Sequence, residues 1–117
     1  MKKIICLGSI LLGCVLSPSI AKTYDFSELR MMINEQKAFP DIEEPKLSSF
    51  DSFEMSYKEC RKGAQIIIDN VTPMYSVIVD HDDEAQQTFK VRVWDNHELF
   101  ILECIDGGQK VFRAKYK

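Results

Sequence analysis

The sequence predicts an α+β domain in which one main helix packs on a three- to four-stranded antiparallel β-meander, with a short N-terminal helix or arm in front. Three observations carry that expectation. Between positions 53 and 71 the apolar residues recur every three or four places, the period of a helix face. After Pro73 they alternate with polar residues, the period of a strand. The stretches between the alternating runs are short and rich in Asp, Asn and Gly, so successive strands are expected to be antiparallel neighbours.

The first 21 residues stand apart from that domain. Met1-Lys2-Lys3 is a short basic start, and Ile4 to Val15 is apolar without charge. Ser17 and Pro18 break the run, and Ser19-Ile20-Ala21 supplies small residues where a signal peptidase requires them. The pattern predicts a bacterial-type signal peptide cleaved after Ala21 and a periplasmic or secreted product. The run is short for a membrane span, so no stable membrane span is expected after cleavage. Leu12-Gly13-Cys14 resembles the end of a lipobox, which leaves a lipoprotein anchored at Cys14 as the alternative.

Residues 22–50 are expected to form an N-terminal arm. Asp25 and Glu28 have the spacing of a helix start, and Phe26, Leu29, Met32 and Ile33 follow at helical intervals. Pro40 ends anything helical, and residues 41–45 read as an acidic linker. Whether the arm docks or stays a flexible tail is open at this point.

Residues 51–117 carry the α+β domain. Asp51 with Glu54 repeats the capping spacing. Phe53, Tyr57, Cys60, Ala64, Ile67, Ile68 and Val71 then draw one stripe on a predicted helix of about 18 residues, stopped at Thr72-Pro73. Four strands are predicted beyond it: Tyr75 to Asp80, a run centred on Phe89, Val91 and Val93, Leu99 to Ile105, and Val111 to Tyr116. His81 to Glu84, Asp95 to His97 and Asp106 to Gly108 are read as turns.

Cleavage after Ala21 would remove Cys6 and Cys14 and leave Cys60 and Cys104 as a single candidate disulfide. The helix stripe carries Cys60, and alternation in the third strand puts Cys104 on one face with Phe100 and Leu102. If that face meets the helix, the two sulfurs meet in the core. A chain-entropy argument assigns such a bridge about 4 kcal/mol.

The opposite face of the sheet would hold Ile78, Trp94, Leu99 and Ile101, with Val111 a further candidate, beside Lys90 and Arg92. It is too apolar to remain fully wet. Either the arm covers it, or it is a candidate face for binding a protein partner or a second copy, with Trp94 as anchor.

Catalytic, metal and cofactor chemistry find no foothold. His81-Asp82-Asp83-Glu84 lacks the spacing and the glycine bend of an oxygen-ligand loop. His97 sits in a turn without a neighbour to make it a base. The chain has no Gly-rich phosphate loop, HExxH or GxSxG. Without residues 1–21 there are 13 basic residues against 18 acidic ones, a net charge of −5. That excess argues against a nucleic-acid partner.

The order Phe89-Lys90-Val91-Arg92-Val93, Asp95-Asn96, Leu99 to Cys104 and Asp106-Gly107-Gly108-Gln109-Lys110-Val111 resembles the last strands of a PepSY-type domain, over about residues 52–116. Nothing in 22–50 matches, and Gly108 falls early in the closing motif. The resemblance implies a non-catalytic extracytoplasmic module of inhibitory or regulatory role, such as those in propeptides of thermolysin-like proteases. It offers no catalytic residues. A structural or assembly component of an envelope or secretion complex, and a secreted inhibitor or effector, are the alternative functions.

Overall fold

In the computed structural model, which describes residues 22–117, the chain enters the fold at Tyr24, whose amide donates to the Asn96 carbonyl at 3.0 Å. The predicted signal peptide and the alternative anchor at Cys14 lie outside the described residues. Asp25 caps helix α1 (Phe26–Arg30) through a 2.8 Å bond accepted from the Glu28 amide, as the Asp-x-x-Glu spacing predicts. The helix then widens into a π-helical turn over Met31–Glu35, and Lys37, at φ 55°, turns the chain away.

The main helix, α2, spans Tyr57–Val71 and starts later than Asp51 and Glu54 predict. Lys46–Leu47 form β1 and Phe53–Glu54 form β2, both paired with β6 (Gly108–Lys115). A helical turn at Phe53 would forgo those inter-strand bonds and leave the β6 edge open. Ser56 therefore caps the helix: its hydroxyl accepts from the Glu59 amide at 3.1 Å, and the Glu59 carboxylate accepts from the Ser56 amide at 3.4 Å. Asp51 is used elsewhere, accepting from the Ser48 hydroxyl at 2.8 Å.

The remaining strands are β3 (Ser76–Asp83), β4 (Thr88–Trp94) and β5 (Glu98–Ile105), which with β1, β2 and β6 make a six-stranded antiparallel sheet. The chain is thus an α+β protein. The order runs β1-β6-β5-β4-β3, with β2 also on β6. The first hairpin departs from expectation, since His81, Asp82 and Asp83 are strand rather than turn. A bulge between Val79 and His81 absorbs one residue and lets pairing continue to Asp83 opposite Thr88. The turn falls at 84–87, with Gln87 at φ 55°. The β5–β6 turn lies at Asp106-Gly107, where Gly107 takes φ 95°, and Gly108 belongs to β6.

Each face of the sheet carries its own apolar cluster. Tyr57, Cys60 and Ala64 of α2 cluster with Phe89, Val91, Val93, Leu102, Cys104 and Val111. Cys60 and Cys104 form a disulfide there, their Cα atoms 5.7 Å apart. Val111 lies in this cluster, not on the Trp94 face. On the reverse side Trp94, Leu99, Ala114 and Tyr116 pack with Tyr24, Leu29 and Ile33 from the arm.

Candidate binding cleft

The face proposed from the sequence as a docking surface is occupied by the chain itself. Trp94 is 1% exposed and Leu99 is buried, both under Leu29, Ile33 and Tyr24, while Ile78 and Ile101 pack at the margin of the same cluster. Phe39 stacks on the Trp94 ring at 5.5 Å between centroids. The Arg92 guanidinium lies 4.8 Å from the Trp94 ring centroid and is held by Asp80 through Nε to Oδ2 at 2.7 Å and Nη2 to Oδ1 at 2.9 Å. Lys90 stands between His81 of β3 and Glu103 of β5. These six side chains do share one side of the sheet, but the arm completes that side as a second core.

Sheet edges are likewise managed. β6 is bordered by β1 and β2, and Ile42 bridges to Tyr116. The β3 edge has no strand partner among the described residues; its bulge and the Asp80 to Asp83 carboxylates disfavour extension of the sheet. Arg61 bonds Asp82 from Nη2 at 3.1 Å, tying that hairpin back to α2.

An opening remains on the α2 side. Tyr57, Cys60 and Ala64 of α2 are buried and Ile68 and Val71 pack at the margin of the same cluster, whereas Ile67 is 44% exposed although it falls in the predicted stripe. The helix therefore leaves a cleft of about 300 Å³ beside its C-terminal half. Val91, Val93, Leu102 and Val111 form an apolar floor, with Phe100 beside them. Ile67, Val71 and Tyr75 make one wall, and Asp51 and Phe53 the other. Polar groups reach it near the second wall. Arg113 lies over the Phe100 ring at 4.8 Å and within 3.6 Å of the Asp51 carboxylate, and Gln109 Nε2 donates to the Asp51 carbonyl at 2.7 Å.

The second wall is built with care for its backbone. Ser48 donates its amide to the Val111 carbonyl at 2.8 Å, and the Val111 amide donates to the Ser52 hydroxyl at 3.1 Å. Ser52 in turn donates to the Ser48 carbonyl at 2.7 Å. Side chains thus replace the ladder bonds between β1 and β2, and the turn they fix carries Phe50 at 89% exposure. Sequence reading missed this turn, because residues 48–53 were divided between a linker and a helix start. The available signal was Ser48-Ser49 and Asp51-Ser52 bracketing one aromatic residue.

Elsewhere, no group of three or more His, Cys, Asp or Glu side chains among the described residues is placed to hold a metal ion. Among those residues no helix is long and apolar enough to cross a membrane. Compared with family models, curated proteins and solved structures, the chain matches none of them.

Proposed function

We propose that this chain is an exported, non-catalytic binding or regulatory module, and that the cleft beside α2 takes an apolar side chain presented by another polypeptide. The observation that supports it is the apolar cleft whose walls leave Ile67 and Phe53 about half exposed above a buried floor of Val91, Val93, Leu102 and Val111. A domain that seals one face of its sheet with a dedicated arm and leaves the other partly open keeps apolar surface in water, at a cost of roughly 25 cal/mol per Å². Binding sites combine such a floor with a few oriented polar groups, here Arg113, Asp51 and Gln109.

Export is part of the proposal. The basic start, the apolar run and Ala21 supply the address, and the disulfide suits an oxidising compartment. A periplasmic or secreted regulator of a protease or another envelope protein is the role that the PepSY-like strand motifs favour. The test is affinity capture of the tagged mature chain from its native envelope, in parallel with Ile67→Glu. This variant puts a charge on the cleft wall at a half-exposed site, so the fold is retained. Loss of the captured protein in the variant is the expected result; equal recovery from both chains would reject the cleft as the site.

A further inference from the structure

We infer that a second copy of this chain occupies the cleft, each copy inserting its Phe50 into the cleft of the other across a two-fold axis beside the 48–53 turn. This rests on the reading of the cleft as a site for an apolar side chain, and names the occupant.

Phe50 is the most exposed large apolar side chain among those described, at 89%, yet the turn that bears it is fixed by five hydrogen bonds among Ser48, Asp51, Ser52 and Val111. An aromatic residue held out on a fixed turn loses little freedom when it is buried, which is the property of an interface anchor. The same turn is the wall of the cleft: Asp51 and Phe53, one and three residues on, both line it. Donor and acceptor surfaces are therefore adjacent. A two-fold operation beside the turn satisfies both contacts at once and closes the assembly, whereas a head-to-tail insertion would satisfy one contact per pair and continue into a ring or an open chain.

The charges agree with a second copy. Beside the 48–53 turn the cleft carries the Asp51 carboxylate and the Arg113 guanidinium side by side, with Asp95 elsewhere in its lining. A two-fold axis sets such a pair against its own inverse, so each Asp51 can face the other copy's Arg113. A partner carrying a uniform charge would meet one like-charged group. Area fixes the strength. Phe50 and Phe53 together offer on the order of 300 Å² of exposed ring surface, and Leu47 and Ile67 extend the patch. Stable interfaces use about 800 Å² per partner, so the association is a concentration-dependent one between folded monomers.

Sedimentation of the mature chain over a range of concentrations tests the inference, with Phe50→Ser, Ile67→Glu and their equimolar mixture. Either variant alone is expected to weaken the dimer by about tenfold or more. The mixture should recover intermediate association, because Phe50→Ser keeps an open cleft and Ile67→Glu keeps its Phe50, which restores one of the two contacts. A chain that stays monomeric throughout, or a dimer indifferent to Phe50→Ser, overturns it. Binding of the apolar dye ANS, measured on the same samples, separates the two readings. Dye bound by wild type and lost in Ile67→Glu, without any dimer, retains the cleft and removes the second copy as its occupant. A chain that neither dimerises nor binds dye at this wall loses both.

Discussion

One disulfide and one buried tyrosine show what single side chains contribute, and how differently the sequence discloses them. Cys60 and Cys104 were readable as a pair because helical and strand periodicities independently aim both at one core. Replacing both with Ala opens a loop of 44 residues and should cost about 4 kcal/mol, read as a lowered denaturation midpoint in urea. Tyr116 was not readable as anything but a strand end. It is fully buried, and its hydroxyl donates to the Asp95 carbonyl at 2.7 Å and to the Glu98 carbonyl at 3.1 Å. Burial, with Asp95, Tyr24 and Glu98 nearby, pushes its pKa well above the ordinary tyrosine value. Burial, with Asp82 beside it, raises Tyr57 as well. The folded state therefore keeps protons that the unfolded chain releases near pH 10, so this stability is complete below that pH and is lost as pH rises further. A stability titration should show alkaline unfolding beginning above about pH 10, with a shallower slope in Tyr116→Phe.

At the scale of elements, the alternating runs gave four strands near their true places, because period two sends successive side chains of β4, β5 and β6 to two different apolar clusters. The misplacements share a cause: long-range pairing outweighed a local signal. Asp51 and Glu54 have a good capping pattern, but the β6 edge claims Phe53 and Glu54. His81 to Asp83 have turn composition, but β4 continues opposite them once the bulge has taken up a residue. The approach of β2 to β6 depends on Gly108, where an added Cβ would lie 3.0 Å from the Phe53 carbonyl oxygen. Gly108→Ala should displace β2 and cost on the order of 1–2 kcal/mol, with faster amide exchange at Glu54 and Met55 while the β4–β5 amides stay protected.

For the whole molecule, the sequence posed a choice between a docked arm and an exposed Trp94 face without deciding it. What decides it is shape: Leu29 and Ile33 fit over Trp94 and Leu99, and Arg30 reaches round to donate to the Thr72 carbonyl at 3.1 Å, beyond the end of α2. The cleft was illegible for the complementary reason. Periodicity assigns Ile67 to the helix stripe, but in the fold Ile68 and Val71 take the places against the core and Ile67 is left on the cleft wall. Leu29→Ala should cost 2–5 kcal/mol and shift the emission of Trp94, the chain's sole tryptophan, to longer wavelength, with the disulfide still closed by intact mass.

The arm's seat joins the two ends of the described chain. Tyr24 packs edge-on against Tyr116 at 5.1 Å, Ile42 bridges to Tyr116, and the Lys117 amide donates to the Asp41 carbonyl at 2.9 Å. The segment synthesised first among the described residues therefore rests on Trp94 and Leu99 and is closed over by two of the last, Tyr116 and Lys117. A chain without Tyr116 and Lys117 would lose the contacts that these residues make with Tyr24, Ile42 and Asp41, so its arm is expected to lift from the sheet more readily.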